Sequence, residues 1–232
     1  MTMRRLGQAR VDQRGFTLAE LLVAVAIVGL VMTGLLTLLK KGNESYLAGA
    51  NQVEAQSAVR ASVERMTQDI REAGYDPQGL AAFPAITNQT LIPPSFTIQN
   101  DWDGNGAINN AISPTMAYSW GNVQRGEQIT YSIAGGNLSR LESGPAGGGA
   151  QVVLQNVAQA GRGTDCAGAA IVNPPIFQYC DGNGNITGVA ANIRTIVVNI
   201  QVGVQGQTPG AWQTGAIQVA MSDRIRLRNR IP

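Results

Sequence analysis

The sequence predicts an α+β protein: a long N-terminal α-helix, half of it transmembrane, packed through its second half on an antiparallel β-sheet domain. Three observations lead there. An apolar run from Phe16 to Leu39 carries Glu20 as its single charge. An amphipathic pattern then continues to Ala73, and from Tyr75 onward short β-type runs alternate with Gly, Pro and Asn. The division that follows is 1–15 as a leader, 16–74 as the helix (16–39 transmembrane, 40–74 amphipathic) and 75–232 as one extracytoplasmic β-rich domain.

The leader sets Arg4, Arg5, Arg10 and Arg14 against one acid, Asp12, ahead of Gly15. At ~1.5 Å per residue, the apolar run behind it crosses the ~30 Å hydrocarbon core of a bilayer as a helix. The arginines should hold the N-terminus in the cytoplasm. Glu20 is the anomaly, because a carboxylate in a membrane helix costs roughly 2.5–3.5 kcal/mol and usually has a partner. An ordinary anchor has no need of it. A conventional secretory signal would end in a small-x-small site. Ala48-Gly49-Ala50 has that form, but it lies well beyond Leu39. Gly29 and Gly34 are weak points in the helix, at ~1 kcal/mol each against alanine. They are equally readable as close-packing positions between membrane helices.

The basic leader, the Gly15-Phe16 junction, Thr17-Leu18-Ala19-Glu20 and the apolar run together resemble the class III signal of type IV prepilins and type II secretion pseudopilins. The resemblance implies a pilin-like fold, cleavage by a prepilin peptidase between Gly15 and Phe16, and N-methylation of Phe16. It also implies that Glu20 pairs with the terminal amine of a neighbouring subunit during assembly. The expected partners are then that peptidase, other major and minor pilins, an inner-membrane assembly platform and the membrane itself. The expected location is the bacterial inner membrane, with the C-terminal domain periplasmic, and afterwards the pilus or cell surface.

Past Lys40 and Lys41 the apolar positions Val59, Val63, Met66 and Ile70 recur at helical spacing, with Val53 read in phase before them. Glu54, Gln56, Arg60, Glu64, Arg65, Gln68 and Asp69 are placed on the opposite, wet face. Gly74 and Pro77 stop the helix, which is expected to run from about Phe16 to Ala73.

Strands are expected at Leu91–Ile98, Thr115–Trp120, Gln128–Ile133, Asn137–Glu142, Gln151–Val157, Ile176–Cys180, Ile193–Val204 and Ala216–Arg228. Gln128–Glu142 reads as a hairpin turning at Gly135-Gly136, where positive φ is tolerated. Ile196, Val198, Ile200, Val202 and Val204 alternate strictly, which predicts one buried and one wet face. A bulge or bend is expected near Ser222-Asp223. More loosely, the C-terminal part resembles PilW-like minor pilins and J-type minor pseudopilins of type II secretion. That resemblance rests on Ile129–Ile133 leading to Leu138-Ser139-Arg140, on Phe177-Gln178-Tyr179-Cys180-Asp181, on the strand after Ile193-Arg194, and on Arg226-Leu227-Arg228-Asn229.

Composition argues against catalysis. The chain of 232 residues contains no histidine, so the commonest general base and metal ligand is missing. It has no Walker loop, Cys-x-x-Cys or Gly-x-Ser-x-Gly, and Glu142, Asp165 and Asp223 have nothing in the sequence that brings them together. The formal charge of +2 comes from the leader: without residues 1–15, 13 basic side chains face 14 acidic ones. No nucleic acid partner is expected from that balance.

The two cysteines, Cys166 and Cys180, allow a disulfide if the domain lies outside the cytoplasm, worth ~3 kcal/mol in the chain-entropy picture. Two unpaired buried thiols are the alternative. No resident cofactor is expected, with calcium as the one candidate. Asp101, Asp103 and Asn105, with Gly106 and Ile108, match the first positions of an EF-hand loop, but Ile112 stands where a bidentate glutamate belongs unless Glu127 folds in. Asp181-Gly182-Asn183-Gly184-Asn185 repeats the oxygen spacing more weakly, and tight turns explain both loops as well. Trp102, Trp120 and Trp212 read as packing residues rather than a ligand platform.

Overall fold

The structure, a computed structural model, describes residues 15–79, 83–102, 104, 106–108, 126–143, 149–204 and 218–229. The chain divides between Leu47 and Ala48 into two compact units. The first is helical from Leu18, the start of α1 (Leu18–Glu72). Apart from Glu20, this segment is apolar nearly all the way round from Leu18 to Leu39, and the helix is long and apolar enough to cross a membrane. Its two threonines make no demand on their surroundings. Thr33 Oγ1 donates to the Gly29 carbonyl and Thr37 Oγ1 to the Thr33 carbonyl, both at 2.8 Å. A hydroxyl satisfied within its own helix can sit in hydrocarbon.

In the second unit, α1 buries Val59, Val63, Met66 and Ile70 as the spacing predicts, together with Ser62 and Asp69. Val53 does not join them and stays 65% exposed. Six residues before Val59 is one and two-thirds turns, roughly 120° round the helix, so it was never in phase. Asp69, expected on the wet face, is only 2% exposed. Gly74 ends the helix at φ 76° and donates its N–H to the Gln99 carbonyl at 2.8 Å.

Eleven strands follow among the described residues, all paired antiparallel. β1 (Ile86–Leu91), β2 (Pro94–Gln99), β3 (Gln128–Ala134), β4 (Asn137–Ser143) and β5 (Gln151–Leu154) form a meander in sequence order. A second sheet centres on β10 (Thr195–Gly203), which pairs with β11 (Gln218–Arg226) on one side and with β6 (Val157–Gln159) and β9 (Phe177–Cys180) on the other. β7 (Arg162–Thr164) and β8 (Ala170–Val172) make a small hairpin of their own. One core joins the α1 stripe to both large sheets. Phe96 of β2 is its hinge point, meeting Tyr131 at 5.5 Å and, edge-on, Phe177 of the second sheet at 5.0 Å.

The expected Gln128–Glu142 hairpin is present, with Gly135 and Gly136 both at positive φ. Elsewhere the strand map needs correction. Leu91–Ile98 is not one strand: the Pro93-Pro94 pair ends β1 and opens β2, because proline gives no ladder N–H. Gln151–Val157 is likewise cut at Asn156, whose φ of 56° turns the chain between β5 and β6. The β10–β11 register runs unbroken from Thr195↔Arg226 to Gly203↔Gln218, so there is no bulge at Ser222-Asp223. The odd positions Val219, Met221, Ile225 and Leu227 keep one phase throughout. Asp223 is simply the polar member of that row, and Thr67 Oγ1 of α1 donates to it at 3.3 Å. The expected strand Thr115–Trp120 lies outside the described residues.

β10 departs most from its pattern: from Thr195 to Ile200 every residue is buried. The outer face is covered by the segment between Ala160 and Ile176, which carries β7 and β8. Asn199, fully buried, holds that cover in place. Its Oδ1 accepts the Thr164 N–H at 3.0 Å and its Nδ2 donates to the Thr164 carbonyl at 3.1 Å, so one amide completes a backbone pair. Gly163 makes the approach possible, since a Cβ there would stand 2.2 Å from Asn199 Oδ1.

Candidate functional site

The site lies where the helix begins. Gly15 and Phe16 precede α1 in irregular, exposed backbone, and Phe16 is 90% exposed. Thr17 is the helix N-cap: its carbonyl accepts the first helical bond, from Leu21 N–H, at 3.2 Å. Thr17-Leu18-Ala19-Glu20 then closes a capping box. The Glu20 N–H donates to Thr17 Oγ1 at 3.3 Å. Glu20 Oε2 in return accepts the Thr17 N–H at 2.9 Å and the Thr17 hydroxyl at 3.0 Å. The carboxylate, expected to pair with the terminal amine of a neighbouring subunit, thus also has a partner inside its own first turn. A Thr-x-x-Glu ahead of an apolar run is itself the signal for this, and spacing alone would have found it.

The family describing the prokaryotic N-terminal methylation motif matches residues 10–36, which hold the Gly15-Phe16 junction, the capping box and most of the apolar helix. That match supports a type IV pilin-like protein. No curated protein and no solved structure matches it. The motif marks a type IV pilin or pseudopilin that is a substrate of prepilin peptidase, assembles with other pilins and is anchored in a membrane by its apolar helix. The motif is that of a family of structural subunits.

The globular unit of this pilin-like protein is fastened to its helix by a polar lock that the sequence reading missed. Tyr131 of β3 and Arg140 of β4 stand directly across from each other and both face α1. There Asp69 Oδ2 accepts the Tyr131 hydroxyl at 2.7 Å and Arg140 Nε at 2.8 Å. Arg140 Nη1 also donates to Glu142 Oε2 at 2.7 Å, and Glu142 Oε1 accepts the Gly126 N–H at 3.0 Å. Burial works against the Arg140 cation, but the Asp69 and Glu142 carboxylates outweigh it and hold its pKa above the usual value. Burial first, and the Asp69 charge second, push the Tyr131 phenol up as well, so it stays a donor.

Cys166 and Cys180 are joined by a disulfide, with Cα atoms 5.6 Å apart. It packs under Val197 on the outer face of β10, beside the Asn199 clasp. Asp101 is fully buried, and both its oxygens serve the loop's own backbone: Oδ1 accepts the Gly104 N–H and Oδ2 the Gly106 N–H, each at 2.8 Å. Asp103 and Asn105, the other two residues of the calcium reading, lie outside the described residues, as do Ile112, Trp120 and Trp212. Glu127 is buried just ahead of β3. Trp102 rests against Tyr75 with ring centroids 5.0 Å apart, a packing contact.

Asp181 also serves a turn. Its Oδ1 accepts the N–H groups of Asn185 at 2.8 Å and Asn183 at 2.9 Å. These bonds, that from Asn185 foremost, lower its pKa. Between the lowered folded value and the unfolded value near ~3.9, the folded loop binds fewer protons than the unfolded chain. Its contribution is therefore complete above that unfolded value and is lost as pH falls through the folded one. Amide exchange at Asn183 and Asn185 should accelerate on acidification below about pH 4 relative to β10 amides. Unchanged relative protection would show the carboxylate is not what holds the turn.

Proposed function

We propose that this protein is a minor type IV pilin, processed at Gly15/Phe16 and assembled into a pilus, where it primes assembly or sits at the tip. The observation that carries the reading is the N-terminal segment: an exposed Gly15-Phe16 junction, a helix that starts only at Leu18, and an apolar surface with Glu20 as its one charge. Residues 16–39 of any copy contain no Lys or Arg, so at the level of Glu20 cleavage would itself supply the cation, the new α-amine of Phe16. Charge complementarity between that amine and the Glu20 of a neighbour would guide docking. The minor role rests on the resemblance of the β3–β4 hairpin, the Phe177–Asp181 segment and the C-terminal strand to PilW-like proteins. The same C-terminal segments also resemble J-type pseudopilins, so a type II secretion pseudopilin is the second reading.

N-terminal peptide mass spectrometry on sheared surface filaments and on washed membranes tests this. A peptide starting at methylated Phe16 is expected in the filament fraction. The same peptide confined to membranes would favour the pseudopilin, and an intact leader would overturn the processing reading altogether. Glu20→Ala should leave cleavage in place but abolish incorporation.

A further inference from the structure

The outer edge of the second sheet is open. β11 pairs with β10 along its whole length, and among the described residues no strand lies against its other side. The Leu227 N–H donates toward β10, to the Arg194 carbonyl at 2.9 Å. The next one, that of Arg228, turns the other way, to the Arg71 carbonyl at 3.4 Å. Peptide groups alternate sides along a strand, so the β10 ladder takes the odd residues of β11. The even residues Ala220, Ser222, Arg224 and Arg226 turn their backbone groups to the open side. Of these, the Arg224 N–H is already taken, by Asp223 Oδ1 at 2.8 Å. An edge of 9 residues in unbroken register is a template for a further strand.

The side chains select which strand. Those of the same even residues share the outer face, where Arg224 and Arg226 stand exposed at a spacing of ~6.7 Å and Arg228 continues the row. None of the three has an ion pair among the described residues. The adjacent acid, Asp223, points to the opposite face, where its Oδ2 accepts the Thr67 hydroxyl. On that inner face Val219 and Met221 are only partly buried against the core. A strand added here meets arginines on one face and half-covered apolar surface on the other. We propose that β11 is a docking edge for an extended acidic segment of a partner protein, one that alternates Asp or Glu with apolar residues. Opposite charges facing each other across a ladder stabilise it, and like charges oppose it. A second copy of β11 is the wrong occupant, because its outer face brings only arginines and neutral residues. The balance of 13 basic against 14 acidic side chains hides this row, since it averages over the whole chain.

The full chain in a neutral detergent tests this, with a fluorescent peptide alternating Val and Glu, as long as β11, for the probe. The Val/Glu peptide should bind and its Val/Lys counterpart should not. Methylating the Glu backbone nitrogens keeps the charge but removes the ladder donors, and should abolish binding. Hydrogen exchange at Ala220, Ser222 and Arg226 should slow in the complex, while Val219 and Met221, already in the β10 ladder, should not change. Arg224→Glu combined with Arg226→Glu should weaken the Val/Glu peptide roughly tenfold, the scale of two cross-strand charge pairs turned repulsive, and admit the Val/Lys peptide. If the methylated peptide or a single-stranded oligonucleotide binds as tightly as the Val/Glu peptide, the row is a general anion patch and the proposal fails. If neither Val peptide binds, the arginines only guard the edge against pairing, and it fails again. Protection of Ala220 and Arg226 that rises with the concentration of the chain alone would make a second copy the occupant and overturn it.

Discussion

Arg140→Met should destabilise the globular unit by about 3–5 kcal/mol, the range for removing one partner of a buried ion pair. Denaturant unfolding of the full chain in detergent, followed by tryptophan fluorescence, would measure it. Arg140 lies between Asp69, which is 2% exposed, and Glu142, and it donates to both. Removing the guanidinium leaves the Asp69 carboxylate inside the α1–sheet contact with only the Tyr131 hydroxyl and the distant Arg65, whose Nε is 3.8 Å away and half exposed. An exposed pair of that kind contributes little, at most about 1 kcal/mol. The loss therefore comes from an uncompensated buried charge, not from a missing attraction. A second variant separates these causes. Asp69→Leu combined with Arg140→Met takes both charges out of the contact, and should cost less than Arg140→Met alone. If the double variant is the less stable of the two, the lock is a net source of stability rather than a matched pair of liabilities.

That lock also shows what the sequence could and could not disclose. Hydrophobic spacing announced the stripe Val59, Val63, Met66 and Ile70, and the Gly135-Gly136 turn announced the hairpin that carries Tyr131 and Arg140. Those signals are local, because a helix face and a two-residue turn are set by neighbours in sequence. Asp69 looked like a solvated charge because its partner is 71 residues away. Nothing within a helical window distinguishes a buried aspartate from an exposed one. The same limit explains β10. Its alternation of Ile196, Val198, Ile200 and Val202 correctly marked the core face. The cover over Val197 and Asn199 comes from a segment with no periodicity of its own, and so a wet face was expected. The start of α1 is the opposite case: Thr17-Leu18-Ala19-Glu20 is fully legible as a capping box, because both partners of the cap lie within one turn of sequence.

Removing the disulfide with Cys166→Ala and Cys180→Ala should cost about 3 kcal/mol, the chain-entropy value for a loop of this length. The Cα separation of 5.6 Å and the sequence separation of 14 define that loop. The cover over β10 should nonetheless stay in place, because a second fastening holds it independently. Asn199 pairs with both backbone groups of Thr164, the Ser222 hydroxyl donates to Asn199 Oδ1 at 2.6 Å, and the Asn199 N–H reaches the Ile176 carbonyl at 2.8 Å. Asn199→Ala in the otherwise native chain removes the side-chain partners of the half-buried Thr164 N–H and carbonyl, at no more than about 1–3 kcal/mol for each group. The two fastenings grip the same segment, so their losses should not add. With either one intact the segment should remain ordered, and with both gone it is left with weaker bonds such as Gly161 N–H to Gln201 Oε1 at 3.1 Å. Hydrogen exchange at Thr164 and Val197 reads this directly. Protection should fall modestly in the disulfide variant, further in Asn199→Ala, and vanish in the triple variant while the α1-facing core of β10 stays protected. Complete loss of protection in the disulfide variant alone would show that Asn199 is a passenger and that the cross-link alone holds the cover.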